Sequence, residues 1–377
     1  MKTITILGST GSIGHQTVDV VEKTGKYRVI GLAAGENAAL AEQQIRALRP
    51  KRACMASEEA AKDLKARTAD LDMEILSGMD GMEELIRAEK ADIYAVSIGG
   101  MIALKPTLWA IGMGTRVALS NKESIVTAGH IMMPAVTRCG AELIPVDSEH
   151  SAVFQCLEGE DRNRIRQLLI TASGGPFRTW SLKAMQTVTP AQALKHPNWS
   201  MGAKITVDSS TLVNKGLEVM EAHHLFGVDY DRIRVVVHPQ SIIHSMVEFT
   251  DGAVKAQLGV PDMRLPIEYA LGYPERGELI TEEADFWQMG DLHFEKPDFE
   301  RFPALVLAYE AGRTGGTLPT VFNAADELAV ADFLKGKLAY PEIAERIAAA
   351  MAAHRVQADP DLETVLATER ELRESWQ

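Results

Sequence analysis

The chain has 377 residues, too many for one small hydrophobic core, so two or three domains are expected. Its 46% hydrophobic and 24% charged residues are typical of an ordinary globular protein. The net charge of -13 argues against nucleic acid as the main partner, because a phosphate backbone requires an excess of Lys and Arg. A small anionic substrate remains compatible with this charge, since it needs only local positive groups.

The three cysteines are widely spaced and odd in number, so they predict neither a disulfide framework nor a cysteine zinc site. A reducing cytoplasm fits this usage best. The apolar run at the N-terminus is too short for a signal peptide core, and no stretch approaches the length of a membrane span. We therefore expect a soluble cytoplasmic protein with no membrane partner.

A glycine-rich turn follows the first predicted strand. The β-branched run Thr3 to Gly8 leads through the pattern Gly8-x-x-Gly11-x-x-Gly14 into helix-like sequence. A buried strand, a glycine turn and a helix N-terminus together form a cradle for a pyrophosphate. The spacing departs from GxGxxG, so a tight turn that binds no ligand is the alternative.

Strand-like and helix-like runs then alternate as far as residue 147, which predicts a parallel, doubly wound sheet. The second strand ends at Gly35, Glu36 and Asn37, where a dinucleotide fold meets the adenosine ribose. The predicted strands are Tyr27 to Ala33, Asp92 to Ser97, Thr115 to Leu119 and Glu142 to Val146, and helices are predicted at Glu58 to Lys65 and Ser124 to Thr137.

Polar residues follow two of these strands, at the sheet edge where ligands bind in open α/β folds. They are Ser120 to Ser124 and Asp147 to Ser151. In an extended segment Asp147 and Glu149 point to the same side, so they could bind a hard cation, with Glu218 as a third oxygen ligand. The alternatives are a charged turn whose acids cap the next helix, and general acid-base catalysis by two carboxylates.

The stretch from His196 to Ala222 concentrates many polar groups. A His-Pro-Asn-Trp turn precedes a strand predicted at Ala203 to Val207. The polar run Asp208 to Thr211 then supplies candidate N-caps for a helix, whose first free amides attract anions such as phosphate.

Asn214 and Glu218 are at positions i and i+4 of that helix, so they share one face, with Lys215 beside Asn214. This face offers an amide, a carboxylate and an ammonium to a ligand. An N-capped helix with an ordinary Lys-Glu surface pair is the alternative, and the stretch alone does not decide between them.

The remaining sequence predicts an α+β region followed by helices. The strand Ile165 to Thr171 runs into a turn in which Ser173 and the amides near Gly174 and Gly175 could approach an anion. Asp251-Gly252 marks a hairpin in a partly antiparallel sheet, and we interpret His223, His224, His238 and His244 as structural or exposed. Further strands are predicted at Ile233 to His238, Ser245 to Thr250 and Ala253 to Leu258.

The predicted fold class is therefore α/β with several domains. The domains are a doubly wound, Rossmann-type parallel sheet in residues 1–147, an α+β catalytic domain in 148–280, a linker in 281–303 and a C-terminal helical domain in 304–377.

Eight motifs in register along nearly the whole chain resemble one family, the 1-deoxy-D-xylulose 5-phosphate reductoisomerases. They are LGSTGSIG, SNKES, PVDSEHSA, ASGGPFR, HPNWSMG, DSSTLVNKGLE, HPQSIIHSMV and FNAADE. The resemblance implies conversion of 1-deoxy-D-xylulose 5-phosphate into 2-C-methyl-D-erythritol 4-phosphate, the committed step of non-mevalonate isoprenoid synthesis. It also implies NADPH, a divalent cation and a homodimer formed through the middle domain. Mg²⁺ or Mn²⁺ is favoured, and Co²⁺ is also compatible with oxygen ligands.

The resemblance further implies roles for residues that match the family's motifs. The metal ligands are Asp147, Glu149 and Glu218, and the catalytic residues are these three with Lys122 and Glu123. Substrate binding is expected at Lys122, Ser148, Glu149, Ser173, His196, Trp199, Ser209, Asn214, Lys215 and Glu218, with Trp199 and Met201 on a mobile flap. Cofactor binding is expected at Thr10, Gly11, Ser12, Ile13, Gly35, Glu36, Asn37, Asn121, Glu123 and Gly202.

Glu36 departs from the family pattern, in which a basic residue often lies close to the 2′-phosphate of NADP. A carboxylate repels that phosphate and can accept a hydrogen bond from a free ribose 2′-hydroxyl. We expect NADPH to be used, because nearby amides and Asn37 can hold the phosphate, but with weakened discrimination against NADH.

Two other functions remain open at this stage. The first is a plain NAD(P)-dependent dehydrogenase that acts on a phosphorylated sugar or semialdehyde. This function explains the glycine turn but gives no role to Asp147, Glu149 and Glu218. A nucleotide-sensing protein without catalysis predicts the loss of at least one of Lys122, Asp147, Glu149 and Glu218, and all four are present.

Overall fold

The computed structural model describes residues 1–199 and 201–376, which group into two compact units. The first unit comprises Met1–Ser124, Met132–Ser151 and Asp262–Glu283, and the second comprises Ile125–Ile131, Ala152–Pro261 and the described residues from Ala284 onward. Residues 262–283, most of which were assigned to the middle domain, thus group with the first unit. The domain boundaries at 147, 280 and 303 stay a prediction. Ser200 and Gln377 lie outside the described residues.

The first unit contains a seven-stranded sheet in which every strand pair is parallel. Its order is β4-β3-β2-β1-β5-β6-β7, so the direction of strand addition reverses between β1 and β5. The predicted doubly wound sheet is therefore confirmed. The strands are β1 (Lys2–Leu7), β2 (Tyr27–Ala34), β3 (Arg52–Met55), β4 (Glu74–Ser77), β5 (Ile93–Val96), β6 (Arg116–Leu119) and β7 (Glu142–Pro145).

Helices connect these strands, and two of them contain boundaries between the units. They are α1 (Ser12–Thr24), α2 (Ala38–Leu48), α3 (Glu58–Arg67), α4 (Gly78–Ala88), α5 (Leu104–Gly112), α6 (Lys122–Cys139) and α7 (Ser148–Cys156). Three of the five unit boundaries fall within α6 and α7, and the other two fall outside helices, between residues 261 and 262 and between residues 283 and 284. Asn37 and Ser57 cap α2 and α3 by accepting hydrogen bonds from the amides of Leu40 and Ala60.

The second unit contains a four-stranded mixed sheet of order β11-β10-β8-β9. Its strands are β8 (Ile165–Ala172), β9 (Ile233–Val237), β10 (Ile243–Phe249) and β11 (Val254–Leu258). β10 is antiparallel to both β8 and β11, whereas β8 and β9 are parallel. The predicted hairpin is confirmed, and Gly252 at its turn has φ +88°.

Helices make up most of the rest. They are α8 (Leu182–Met185), α9 (Pro190–Ala193), α10 (Ala203–Thr211), α11 (Val213–Phe226), α12 (Arg264–Gly272), α13 (Pro303–Thr314), α14 (Leu318–Leu334), α15 (Glu342–Ala353) and α16 (Leu362–Ser375). α12 lies in the first unit. The predicted C-terminal helices are confirmed. Residues 281–302 contain no helix, and within them Glu295 pairs with Val237 of β9 in an isolated bridge.

The strand predicted at Ala203 to Val207 is wrong, because these residues form the first half of α10. The β-branched Thr206 and Val207 suggested a strand, but their side chains are buried on the inner face of the helix. The hydroxyl of Thr206 donates to the carbonyl of Gly202 at 2.7 Å, one turn earlier, as threonine does in helices. Tertiary packing therefore overrides local strand preference here.

Among the described residues, no helix combines the length and the apolar character that crossing a membrane requires.

Candidate active site

The glycine turn after β1 is packed too closely for side chains. A Cβ at Gly14 would lie 2.0 Å from the carbonyl oxygen of Gly8, and Gly8 itself has φ +90°. A Cβ at Gly8 would lie 2.7 Å from the carbonyl oxygen of Ser97, which follows β5. The turn thus occupies the point where the strand order reverses, which is where dinucleotides bind in this fold.

The N-terminus of α1 opens from this turn. Gly11 is its N-cap and supplies no side chain to the free amides of the first turn, which Ser12 and Ile13 begin. These amides are therefore available to a pyrophosphate. Thr10 lies in the turn itself. The residues present fit the phosphate part of a dinucleotide.

The loop after β2 carries an exposed acid. Gly35, Glu36 and Asn37 are all exposed, and Asn37 Oδ1 accepts from the amide of Leu40 at 3.0 Å. Glu36 Oε2 accepts a hydrogen bond from Ser57 Oγ at 2.7 Å. The carboxylate of Glu36 is thereby held beside the loop that follows β3.

Asn121 joins the loops that follow β5 and β6. It is buried, and its Nδ2 donates to the carbonyl of Gly100 at 3.1 Å and to Glu123 Oε2 at 2.8 Å. Its Oδ1 caps α6 through the amide of Ser124 at 2.9 Å. Asn121 thus fixes the position of Glu123, and the cofactor roles of both residues stay a prediction.

Asp147 is the centre of a charged cluster at the end of β7. Lys122 Nζ lies 2.7 Å from Asp147 Oδ2, and His150 Nδ1 lies 3.0 Å from Asp147 Oδ1. Burial alone would raise the pKa of Asp147, but Lys122 and His150 hold that pKa well below its usual range. Asp147 is therefore ionised at neutral pH, the state that metal binding requires.

The backbone at this cluster differs from the extended segment that was predicted. α7 begins at Ser148, and the amide of Glu149 donates to Asp147 Oδ1 at 3.2 Å, so Asp147 also caps the helix. Ser148 Oγ donates to Glu149 Oε2 at 2.5 Å. Sequence reasoning did not single out His150; its spacing three residues after Asp147, across the start of a helix, is the signal that could have identified it.

In the second unit, Ser173 and His196 are joined by a hydrogen bond. His196 Nδ1 accepts from the amides of Asn198 at 3.1 Å and Trp199 at 2.9 Å, so Nε2 carries the ring proton when the ring is neutral. Nε2 then donates to Ser173 Oγ at 3.0 Å, and the amide of Gly175 donates to the same oxygen at 3.2 Å. Because the Ser173 oxygen accepts from both His196 and Gly175, the hydroxyl hydrogen of Ser173 can be donated to an anion.

Gly175 allows this turn to pack against the end of α10. A Cβ at Gly175, which has φ +68°, would lie 2.9 Å from the carbonyl oxygen of Ser209. The structure therefore brings the turn that carries Ser173 beside the segment that carries Ser209. Leu212, with φ +61°, then redirects the chain into α11.

Asn214 and Lys215 lie in the first turn of α11 and both donate to Glu218. Asn214 Nδ2 donates to Glu218 Oε1, and Lys215 Nζ donates to Glu218 Oε2. Lys215 is only 4% exposed and Glu218 only 1%. The shared face is confirmed, and the alternative of an ordinary surface pair is wrong, because both members of the pair are buried.

The segment expected to form a flap precedes α10. The indole of Trp199 lies 6.0 Å from the ring of His244, measured between centroids. Asn198 Nδ2 donates to the carbonyl of Pro239 at 2.7 Å, and Gly202 is the exposed N-cap of α10. Ser200, within the flap, lies outside the described residues. Flap movement stays a prediction.

The doubly wound sheet with its glycine turn, together with an ionised carboxylate cluster at the sheet edge, defines a dinucleotide-dependent oxidoreductase with a candidate site for a hard cation. Sequence profiles of one family match most of the chain. The profile of 1-deoxy-D-xylulose 5-phosphate reductoisomerase matches residues 4–129, and two profiles of the C-terminal domains of this enzyme match residues 143–226 and 258–375.

Individual relatives agree with these profiles. A 1-deoxy-D-xylulose 5-phosphate reductoisomerase of Lachnospira eligens is 51% identical over 370 residues, covering 98% of this chain and 97% of the relative. The enzyme from Zymomonas mobilis, solved with NADPH, superposes with a TM-score of 0.93 at 45% identity, covering 99% of this chain and 97% of that one. A further reductoisomerase structure, solved with NADPH, fosmidomycin and magnesium, superposes with a TM-score of 0.95 at 37% identity, covering 99% of this chain and 97% of that one. The chain belongs to the 1-deoxy-D-xylulose 5-phosphate reductoisomerase family.

Proposed function

We propose that this chain rearranges and reduces 1-deoxy-D-xylulose 5-phosphate to 2-C-methyl-D-erythritol 4-phosphate, using NADPH and a divalent cation. The observation that carries the proposal is Asp147, a buried carboxylate kept ionised by Lys122 and His150 at the edge of a dinucleotide-binding sheet. Relatives solved with NADPH and with magnesium support both cofactors. The product serves isoprenoid precursor synthesis.

The proposed metal ligands are Asp147, Glu149 and Glu218. All three are carboxylates, the donors that hard divalent cations prefer. The ion pair with Lys122 helps to keep Asp147 ionised, and Glu218 is paired with Lys215. When bound, the cation polarises substrate oxygens and stabilises the negative charge that develops as the carbon skeleton rearranges.

Lys122 and Ser148 are proposed to bind the keto and hydroxyl groups at the reacting end of the substrate. Lys122 is buried, and its ammonium is oriented by Asp147, so it can donate a hydrogen bond to a substrate oxygen with little loss of side-chain freedom. The Ser148 hydroxyl is oriented by Glu149. Glu123, held by Asn121, is proposed to lie beside them.

The phosphate of the substrate is proposed to bind in the second unit, at Ser173, His196, Ser209, Asn214 and Lys215. Ser173 can donate its hydroxyl hydrogen because its oxygen already accepts from His196 and from Gly175. Lys215 supplies positive charge, and the amides that begin α11 favour an anion. Trp199 and Met201 are proposed to close over the bound substrate and exclude water before hydride transfer.

NADPH is proposed to bind through Thr10, Gly11, Ser12 and Ile13 at the pyrophosphate and through Gly35 and Asn37 at the adenosine ribose. Asn121, Glu123 and Gly202 are proposed to contact the remainder of the cofactor. The closely packed glycines of the turn and the open N-terminus of α1 support this placement.

Turnover with product identification tests the proposed function. NADPH oxidation should require both 1-deoxy-D-xylulose 5-phosphate and Mg²⁺, should stop when a chelator is added, and should yield the branched polyol. An unbranched alcohol would instead indicate a plain dehydrogenase. Dinucleotide binding without oxidation would indicate a nucleotide-sensing protein.

We also infer a cytoplasmic homodimer formed through the middle domain, most of which belongs to the second unit. β11 is an edge strand whose Val254 is 49% exposed, and Trp287 of the same unit is 96% exposed. Exposed strand edges and large apolar side chains are typical of surfaces that a second chain covers. Light scattering after gel filtration should give the mass of two chains, and a monomer at micromolar concentration would contradict this inference.

A further inference from the structure

Glu36 occupies the position that distinguishes the two nicotinamide dinucleotides in this fold. It follows β2, the neighbour of β1, about 20 residues beyond the glycine turn. An acid at this position accepts a hydrogen bond from the ribose 2′-hydroxyl of NADH, whereas the 2′-phosphate of NADPH is favoured by a nearby basic side chain. The charge surrounding Glu36 therefore bears directly on cofactor choice.

A hydrogen bond holds the Glu36 carboxylate at this place. Ser57 Oγ donates to Glu36 Oε2 at 2.7 Å and accepts from the amide of Ala60 at 3.2 Å, which anchors the pair to the N-terminus of α3. Glu36 is exposed, and its Oε1 accepts no hydrogen bond from the described residues. A carboxylate fixed through one oxygen can present the other to a ribose hydroxyl.

The surrounding loops lack the cations that a 2′-phosphate requires. The segments that follow β1, β2 and β3, residues 8–11, 35–37 and 56–57, contain no Lys or Arg. The first turn of α3 adds Glu58 and Glu59. Lys62 is 3.9 Å from Glu58, and its side chain is 81% exposed, so it is a mobile, solvated charge. Backbone amides and Asn37 remain as donors for the phosphate.

We propose that Glu36 makes this enzyme accept NADH alongside NADPH, by binding the free 2′-hydroxyl of NADH and by repelling the 2′-phosphate of NADPH. The glycine cradle serves both cofactors equally, because it contacts only the pyrophosphate that they share. The inference relies on the proposed function for the position of the dinucleotide in the first unit, but it does not depend on the rearrangement or on the metal.

Equilibrium binding to the full-length protein, without substrate or metal, tests the inference. Titration followed by nicotinamide fluorescence gives Kd for NADPH and for NADH, and competition with 2′-phospho-ADP-ribose and ADP-ribose isolates the ribose end. We expect the two reduced cofactors to bind within about 10-fold of one another.

Two substitutions then change the charge in steps. Glu36→Gln should shift the Kd ratio toward NADPH by about 5-fold, and Glu36→Arg should shift it by about 50-fold or more, because charge is removed and then reversed. Glu22→Gln is the matched control, since Glu22 is also exposed and lies near the other end of α1. It should leave the ratio unchanged, and the melting temperature of each variant verifies folding.

A wild-type preference for NADPH above about 100-fold, or a ratio that neither Glu36 variant alters, would overturn the inference. Failure to bind either dinucleotide would overturn the proposed function as well. Binding of both with a steep NADPH preference would overturn only the role of Glu36. The failures of the two proposals are thus distinguishable.

Discussion

The nucleotide end of the first unit and the proposed phosphate site of the second unit are built in opposite ways. The first is made of backbone, with a glycine turn and helix amides, and its charged side chain, Glu36, is exposed. The second includes charged side chains inside the core, where Lys215 and Glu218 form a buried ion pair. Surface substitutions can therefore retune cofactor choice, whereas substitution of Lys215 or Glu218 should affect substrate binding and folding together.

The backbone origin of the nucleotide site predicts that one methyl group can destroy it. Gly14→Ala should weaken binding of NADPH and NADH alike by about 100-fold or more, because the added Cβ would lie 2.0 Å from a backbone oxygen that cannot move freely. Fluorescence titration measures this loss. Gly112→Ala is the control, since its Cβ would meet nothing within 4 Å. Binding at the parent's affinity in Gly14→Ala would show that the turn tolerates a side chain.

The buried character of the second unit predicts a stability that falls in acid. Burial lowers the pKa of His224 to about 4, with small contributions from His223 and His130, whereas an unfolded histidine titrates near 6.5. The folded state therefore binds fewer protons between these values. The suppressed protonation of folded His224 should therefore lower the free energy of unfolding by up to about 3 kcal/mol as the pH falls from 6.5 to 4.

His224→Phe, which keeps a ring against Gly129, should flatten this dependence of the melting temperature on pH. His15→Gln, at an exposed position on α1, should not. If the melting temperatures of the parent and of His224→Phe changed equally with pH, the lowered pKa of His224 would not be the cause of the acid sensitivity.

At the proposed phosphate site, loss of the Ser173 hydroxyl should have a smaller effect that is confined to substrate binding. Ser173→Ala removes the hydroxyl that accepts from His196 and Gly175 and is free to donate to a phosphate. KM for 1-deoxy-D-xylulose 5-phosphate should rise about 10-fold, while kcat should stay within about 2-fold of the parent. This pattern is expected because the one or two lost hydrogen bonds stabilise the ground state and the transition state equally. Steady-state kinetics measures the split, with Ser375→Ala near the C-terminus as control. An unchanged KM would remove Ser173 from the phosphate site.

Local features were predictable from the sequence, and features set by tertiary packing were not. The glycine turn and the shared face of Asn214 and Glu218 depend on contacts within a few residues, so pattern and spacing indicate them. β3 and β4 were not predicted, because β3 contains no β-branched or aromatic residue and β4, at the edge of the sheet, has no buried residue.

The contact of Ser173 with His196 joins residues 23 positions apart, and spacing gives no sign of it. Only the family resemblance placed the two in one pocket. The first half of α10, Ala203 to Val207, was predicted as a strand from the β preference of residues such as Thr206 and Val207. The packing that buries these two residues outweighs that preference, and packing is not a local property of the sequence.

We propose that Asp147, Glu149 and Glu218 bind one catalytic cation. Titration with Mn²⁺, followed by electron paramagnetic resonance, tests it most directly. One Mn²⁺ should bind per chain, and Asp147→Asn and Glu218→Gln should each weaken that binding by about 100-fold while leaving the Kd for NADPH within about 3-fold of the parent. Turnover should be nearly abolished in both, and Glu22→Gln should match the parent. A Glu218→Gln variant that binds Mn²⁺ and turns over at the parent's level would contradict the account.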